Sequence, residues 1–318
     1  MGTRWSAILY APPDADIAAL DIALARAVNR VDCQMSTWKP DSDLMRLNAA
    51  LPGKWVSLPR NLVQVIAKGL EIGRASEGVF DIGVGRLVNA WGFGAAGSVP
   101  NKGAIRAALH ERPFPTHTVL ELDAPGARAR KHARFDLDLS GIAKGFAVDE
   151  MMRIVKAFGI SDALVGLDGE LEASGTKPDG TPWHIAVEKP DYELRSPLGM
   201  IELQDAAVAT SGDYRHWVEI GRTRLSHTMD RSRGGPIDNA IASVSIIAST
   251  CMEADAWSTA LMVLGPTKGR AFAEKHGFDA LIVERSDTAL RQVGIGRIFE
   301  PMPPEGPHSD RVSIPSRS

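Results

Sequence analysis

The stretch that most constrains the fold is D-L-D-L-S-G-I-A-K-G at residues 136–145. Over residues 135–139, apolar side chains alternate with two aspartates, which predicts a strand with one apolar face. The pair Ser140-Gly141 breaks this alternation. From residue 142 onwards, apolar residues recur at helical spacing until Gly159, a candidate helix C-cap. The stretch therefore predicts a strand, a tight turn and a helix.

A turn from strand to helix can bind an anion. It directs unpaired backbone N–H groups and the positive end of the helix dipole at one place. Lys144 adds a positive charge in the first helical turn, and Asp138 supplies an acceptor at the end of the strand. Because most such turns in globular proteins bind nothing, this motif alone indicates a phosphate site only weakly.

The composition is that of an ordinary globular protein, with 44% apolar and 24% charged residues. A chain of 318 residues can form one large domain or two packed halves. The net charge of -3 offers no basic surface for nucleic acid or an anionic membrane, and no apolar run is long enough to span a bilayer. Cys33 and Cys251 are predicted to be buried core thiols rather than a disulfide or a metal pair.

Helical and hairpin patterns are mixed along the chain without strict alternation, which favours an α+β fold over a doubly wound sheet. The predicted helices cover residues 14–31, 59–74 and 254–264, with a short helix from 41 or 42 to 47. The predicted strands and hairpins cover residues 5–10, 163–175, 201–209, 219–227 and 241–247. A domain of residues 1–300 is expected to precede a disordered Pro- and Ser-rich tail at 301–318.

Trp38 lies in the predicted loop before the short helix. A tryptophan in such a loop usually acts as a lid or packs on the core. It is also a good platform for a planar ring, so both interpretations stay open.

Asp255 and Thr259 are four residues apart on a predicted helix and share one face, with Ser258 beside them. Carboxylate and hydroxyl oxygens at a helix start are ligands that Mg²⁺ accepts, with waters and substrate phosphates completing its coordination. The alternative is that Asp255 only caps its own helix.

His227 and Asp230 follow a predicted strand and precede a Gly-Gly-Pro turn, with Arg231 and Arg233 between them. A lone histidine is more often structural than catalytic. The neighbouring side chains that can bind anions favour a functional role for His227.

Together these motifs resemble the ApbE family of FAD:protein FMN transferases. The resemblance is carried, in order, by D-L-S-G-I-A-K-G-F-A-V-D, A-V-A-T-S-G-D-Y, H-T-M-D-x-x-x-G-x-P and E-A-D-A-W-S-T-A-L-M-V-L-G, and it runs from Met1 to about Gly265. It implies an α+β fold of two packed lobes with an FAD cleft between them. It also implies Mg²⁺-dependent transfer of the FMN moiety of FAD onto a Thr or Ser hydroxyl of an acceptor flavoprotein, with release of AMP.

The resemblance also assigns residues by motif. FAD contacts fall on Met1, Trp38, Val79, Phe80, Asp81, Asp138, Lys144 and Met229. Mg²⁺ falls on the Gly141 carbonyl, Asp255 and Thr259, with Ser258 able to contribute. The implied catalytic residues are His227 as the base for the acceptor hydroxyl, Lys144 at the AMP leaving group and Asp255 through the metal.

Two alternatives share this site: hydrolysis of FAD to FMN and AMP, and FAD binding without catalysis. The chain also departs from the family pattern. Asp168-Gly169-Glu170 stands where G-G-D is common, and Arg231 and Arg233 replace a proline and a threonine. Family members usually carry a lipoprotein export signal. The sequence as given is therefore expected to be cytoplasmic, or a periplasmic, membrane-anchored lipoprotein if a leader lies upstream.

Overall fold

The structure, a computed structural model, describes residues 3–95, 97, 99–110, 114–215, 217–220, 223–286 and 289–296. Met1 and the predicted tail, residues 301–318, lie outside these ranges. The described helices are α1 (Ile17–Met35), α2 (Asp43–Ala49), α3 (Arg60–Ala75), α4 (Gly85–Ala90), α5 (Lys102–His110), α6 (Thr116–Val119), α7 (Ala143–Ala157) and α8 (Cys251–His276). The described strands are β1 (Trp5–Tyr10), β2 (Trp55–Ser57), β3 (Leu120–Asp123), β4 (Arg128–Lys131), β5 (Asp162–Leu167), β6 (Glu170–Ser174), β7 (Trp183–Glu188), β8 (Pro197–Leu203), β9 (Ala206–Gly212), β10 (Trp217–Ile220), β11 (Thr223–Ser226), β12 (Met229–Asp230), β13 (Gly235–Pro236), β14 (Ile241–Ala248), β15 (Asp279–Arg285) and β16 (Leu290–Ile295).

A seven-stranded sheet forms the centre of the fold, in the order β1-β5-β6-β9-β14-β15-β16, and each neighbouring pair is antiparallel. Alternate residues pack on opposite faces, as the two-residue period of a strand requires. On β14, Ile246 packs in one core with α8, whereas Ile247 packs in another with the β7–β8 hairpin. Helices cover one face and a hairpin the other, which confirms the predicted α+β class.

The largest core lies between α1, α3 and α7. It also encloses the apolar side chains of the 135–139 segment, since Phe135, Leu137 and Leu139 are each at most 1% exposed. The alternating pattern that predicted one apolar face for this segment is therefore confirmed.

The predictions for residues 201–209 and for Cys33 are wrong. Residues 201–209 belong to two strands, β8 and β9, because Asp205 adopts a left-handed conformation (φ +47°) that turns the chain between them. Cys33 is exposed. It lies two residues from both Val31 and Met35, which face the core, and two residues correspond to about 200° around a helix. Cys251 is buried, as predicted.

The helix predicted over residues 254–264 is part of a longer element. It begins at Cys251, with Thr250 as its N-cap, and Gly265 (φ +77°) interrupts it before it continues to His276. Among the described helices, none combines the length and the apolar character needed to cross a bilayer.

Candidate active site

The 135–139 segment is extended but belongs to no sheet, which corrects the prediction of a strand. The side-chain amide of Asn48 takes the place of a neighbouring strand: its Nδ2 donates to Leu137 O (2.9 Å) and its Oδ1 accepts from Leu137 N (2.8 Å). On the other side, Asp138 N donates to Ile82 O (2.7 Å). The segment is thereby fixed between α2 and the residues that precede α4.

The predicted turn and helix follow directly. Asp138 Oδ1 accepts from Ser140 N (2.8 Å), and Leu139 O accepts from Ala143 N (2.8 Å) as α7 begins. The residue at the N-cap position, Ile142, has no side chain that can cap the helix. One backbone N–H group in the first turn of α7, that of Gly145, therefore takes its acceptor from elsewhere.

Asp255 of α8 supplies that acceptor, since its Oδ2 lies 3.0 Å from Gly145 N. The relation is reciprocal, because Asp149 of α7 accepts from Cys251 N (2.6 Å) and Met252 N (3.1 Å) at the start of α8. The two helix starts approach so closely that a Cβ on Gly145 would lie 2.3 Å from Cys251 O. Each helix is thus capped by a carboxylate of the other.

This arrangement contradicts the alternative in which Asp255 caps its own helix. The residue that caps α8 from within its own segment is Thr250, whose Oγ1 accepts from Glu253 N (3.3 Å). The side chain of Asp255 is almost fully buried, with 3% of the residue exposed. Burial raises the pKa of Asp255 to about 6, although Lys144 and the Gly145 N–H lower it.

Three hydroxyl groups of β9 and α8 form a cluster beside the backbone of Asp255. Ser211 Oγ lies 2.8 Å from Ser258 Oγ and 3.1 Å from Thr259 Oγ1, and Ser258 Oγ donates to Asp255 O (2.9 Å). A Cβ on Gly141 would come within 2.9 Å of Thr259 Oγ1, so the predicted turn lies directly against α8. Ser211, in the T-S-G motif at the end of β9, was not among the residues predicted from the sequence.

These residues fit Mg²⁺. Among the described hydrogen bonds, Asp255 uses Oδ2 alone, so Oδ1 is available, and Thr259 and Gly141 add neutral oxygens. No group of three or more His, Cys, Asp or Glu suited to a metal occurs among the described residues. Mg²⁺ does not need one, because it commonly binds through one or two carboxylates and keeps waters and substrate phosphates. Ser258 is fully buried and already engaged by Asp255 and Ser211, so it is the least accessible of the four predicted ligands.

Lys144 lies near enough to the carboxylate of Asp255 for the two charges to interact. Its Nζ is 2.6 Å from Glu170 Oε1 and 3.9 Å from Asp168 Oδ2. Burial lowers the pKa of Lys144, but Glu170, Asp255 and Asp168 together raise it above its ordinary value. Lys144 therefore stays a cation. Burial raises the pKa of Glu170 to about 7, even though the positive charge of Lys144 acts to lower it. Asp168, at the position of the missing glycine, adopts the left-handed conformation (φ +58°) that a glycine would favour.

Glu172 and Asp149 form a second acidic pair, half-buried, next to the start of α8. Burial raises the pKa of Glu172 to about 8 and that of Asp149 to about 6. Both carboxyl groups bind protons more tightly in the folded state than in the unfolded state. The free energy of unfolding is therefore expected to fall as the pH rises from about 4.5 to 8.

Replacing Glu172 with glutamine removes one of these charges and keeps the shape of the side chain. We expect the variant to be more stable than the wild type at pH 8 by about 1 to 2 kcal/mol, less than the full shift implies because the side chain is not completely buried. At pH 4, where Glu172 is largely protonated in the folded and unfolded states alike, the difference should nearly vanish. Urea unfolding at both pH values measures this, with Glu202→Gln on the exposed face of β8 as the control. An equal gain at both pH values would contradict the assignment.

The predicted flavin contacts at residues 79–81 differ in accessibility. Phe80 packs its side chain into the main core, which leaves its backbone for any ligand contact, and Val79 is half-buried. The carboxylate of Asp81 accepts from Gly83 N (2.9 Å), from the hydroxyl of Thr116 and from Thr116 N (3.2 Å). It also pairs with Arg231, whose Nε lies 3.2 Å from Asp81 Oδ2. Thr116 and this ion pair could not be found from sequence spacing.

His227 is half-buried in the short link between β11 and β12. The β12–β13 hairpin that follows packs on α4: Met229 is buried against Leu87, and Trp91 Nε1 donates to Gly234 O (3.1 Å). His227 therefore precedes a hairpin that is anchored to the segment after the predicted flavin contacts.

The last two predicted flavin contacts are Trp38 and Met1. Trp38 is 66% exposed on the loop before α2, where its backbone N donates to Ser36 Oγ (3.2 Å). Met1 lies outside the described residues. Two surface depressions, of about 360 and 540 Å³, lie elsewhere, the first beside Tyr10 and the second beside Arg285. None of the predicted flavin contacts lines either depression.

The sequence profile described as the ApbE family matches residues 1–282. The chain belongs to the ApbE family. An ApbE-family relative from Vibrio cholerae, named FAD:protein FMN transferase, is 34% identical over 296 residues, which cover 92% of this chain and 87% of that protein. The crystal structure of the Pseudomonas stutzeri flavinyl transferase ApbE, apo form, matches with a TM-score of 0.83 at 36% identity, covering 93% of this chain and 92% of that one. The flavin transferase ApbE from Vibrio cholerae also matches with a TM-score of 0.83, at 31% identity, covering 95% and 96% of the two chains.

Membership of the ApbE family confirms the resemblance that the motifs indicated, and the matching structures confirm the α+β fold. The roles of individual residues stay predictions.

Proposed function

We propose that this chain is an FAD:protein FMN transferase that moves the FMN moiety of FAD onto a Thr or Ser hydroxyl of an acceptor flavoprotein and releases AMP. The observation that carries the proposal is the meeting of Lys144, Asp255 and Thr259 at the start of α7. Two motifs more than 100 residues apart thus bring a cation and hard oxygen ligands to one place. This is the chemistry that a pyrophosphate needs.

In the proposed reaction the acceptor hydroxyl oxygen forms a bond to the FMN phosphorus, and the bond from that phosphorus to the bridging oxygen breaks. The bridging oxygen leaves with AMP, and His227 takes the hydroxyl proton. Lys144 stabilises the negative charge that develops on AMP. Mg²⁺, held by Asp255, Thr259 and the Gly141 carbonyl with Ser258 beside them, would neutralise charge on the pyrophosphate when bound.

The same proposal places FAD in a cleft between two lobes. Its contacts would be Met1, Trp38, Val79, the Phe80 backbone, Asp81, Asp138, Lys144 and Met229. The hydrogen bond from Asp138 N to Ile82 O supports this placement, because it holds the 79–81 segment beside the turn that we propose binds the pyrophosphate.

An assay of AMP release from FAD tests the function, run with Mg²⁺ and with or without a flavoprotein that carries a candidate acceptor threonine. Transfer predicts AMP release that requires the acceptor and a covalent FMN on it by mass spectrometry. Equal AMP release without the acceptor would indicate FAD hydrolysis instead. FAD binding without AMP release under either condition would indicate a binding protein.

Trp38→Ala is expected to weaken FAD binding by about 1 to 3 kcal/mol, the scale of stacking between an aromatic side chain and a planar base. The ring is exposed in the described structure and has a large surface to bury on a flavin. Titration of tryptophan fluorescence with FAD should show quenching in the wild type that the variant loses in part. Unchanged affinity together with unchanged quenching would return Trp38 to ordinary loop packing.

A further inference from the structure

We infer that Arg231 is a positioning residue for His227, because it ties the hairpin that follows His227 to the segment that carries the predicted flavin contacts. The inference rests on the proposed function, in which His227 must reach an acceptor hydroxyl while the flavin is held at residues 79–81. Arg231 and Arg233 are the two cations by which this chain departs from the family pattern. The structure gives them different surroundings.

Arg231 is largely withdrawn from water. Its side chain is 19% exposed and that of Asp81 is 2% exposed, with 3.2 Å between Nε and Oδ2. A Cβ on Gly78 would lie 3.6 Å from Arg231 Nη2, so the guanidinium lies close to the backbone there. Arg233 instead pairs with Asp238 at 2.6 Å, and these side chains are 53% and 72% exposed. Exposed pairs contribute little, whereas a pair shielded from water is screened less.

The Asp81 end of the ion pair is fixed. Its carboxylate is bonded to Gly83 N, to the Thr116 hydroxyl and to Thr116 N before Arg231 is counted. A shift of Arg231 therefore cannot easily be followed by Asp81. The ion pair sets the position of the hairpin against a rigid anchor.

The hairpin end is short and stiff. Only β12 and Thr228 separate Arg231 from His227, and Ile237 N donates to Thr228 O (2.9 Å). Asp230 Oδ1 accepts from Ser232 N (2.8 Å), which closes the turn after β12. A displacement at Arg231 is therefore transmitted to His227 rather than absorbed by a flexible loop.

The test compares Arg231→Ala with Arg233→Ala, which removes the same charge from the same hairpin. In single-turnover FMN transfer at saturating FAD, Arg231→Ala should be about 10- to 100-fold slower, the usual effect of displacing a catalytic group by about 1 Å. The dissociation constant of FAD should rise by a smaller factor, because the hairpin carries one predicted flavin contact, Met229. Arg233→Ala should match the wild type. In a His227→Gln background, Arg231→Ala should cause little further loss, because it acts through His227.

Arg231→Lys keeps the charge and should recover part of the rate, and it replaces the alanine variant if that protein does not fold. Three results would each overturn the inference. They are a wild-type rate for Arg231→Ala, equal losses for the two alanine variants, and a loss from Arg231→Ala in the His227→Gln background that is as large as in the wild type. Amide hydrogen exchange in residues 226–236 tests the inference even if the wild type transfers no FMN. Faster exchange in the Arg231 variant than in the Arg233 variant supports the positioning role. Equal exchange in the two variants overturns it. Loss of the proposed function alone would appear as a wild type that binds FAD without transferring FMN.

Discussion

Replacing Asp255 with asparagine is expected to lower Mg²⁺-dependent AMP release from FAD by at least about 100-fold, since a metal contributes several kcal/mol to the stabilisation of transition-state charge. The variant removes the only charged ligand in the predicted metal site. Asparagine keeps an oxygen that can accept from Gly145 N, so the start of α7 should be preserved. The measurement is the rate of AMP release as a function of Mg²⁺ concentration, together with thermal unfolding.

Asp149→Asn is the matched control. Asp149 caps α8 as Asp255 caps α7, but its side chain is hydrogen-bonded to Glu172 and it is not a predicted metal ligand, although its charge raises the pKa of Asp255. We expect this variant to change stability while the rate of AMP release stays near that of the wild type. The metal assignment fails if Asp255→Asn keeps its rate, or if Asp149→Asn loses as much.

An alanine at position 255 is a poorer test. It would leave Gly145 N without its acceptor in a buried place, which costs about 1 to 3 kcal/mol of stability. Loss of activity in that variant could then reflect a disturbed helix start. The sequence alone gives no sign of this second role.

The sequence predicted those parts of the fold that rest on local patterns. The alternation over residues 135–139 follows from burial of one face, and the end of α7 follows from Gly159, which has a positive φ of +78°. The pairing of Asp255 with Thr259 on one helix face also needs only the helical period. These features are encoded by residues close together in the sequence.

The polar contacts that hold the site together could not be predicted in this way. Asp255 and Gly145 are 110 residues apart, and Asn48 and Leu137 are 89 apart. A single hydrogen bond between distant groups leaves no periodicity in either segment. The ion pair of Arg231 is of the same kind: the sequence indicated an added cation but not its partner.

His227→Gln is expected to slow FMN transfer by about two to four orders of magnitude, the usual contribution of a general base. Glutamine can still donate and accept hydrogen bonds but cannot take a proton. The wild-type rate should rise with pH in the range where imidazoles titrate, because only the neutral ring accepts the hydroxyl proton. The variant should lose the part of this rise that His227 causes and keep any part that comes from Asp255 and Glu170, whose pKa values burial raises to about 6 and about 7. The affinity for FAD should change little, since a base acts only in the transition state.

His184→Gln on β7 serves as the control, because His184 is bonded to Lys177 and paired with Glu202. The His184→Gln variant should keep the wild-type transfer rate and the rise of that rate with pH. The two readouts on the His227 variant, the FAD dissociation constant and the single-turnover rate, separate the possible roles of this residue. If the dissociation constant rises while the rate at saturating FAD stays unchanged, His227 contacts the pyrophosphate in the ground state and in the transition state alike, and is not the base. A variant that transfers FMN at the full rate with unchanged affinity for FAD would remove His227 from the mechanism, and would also remove the reason for Arg231 to hold its hairpin in place.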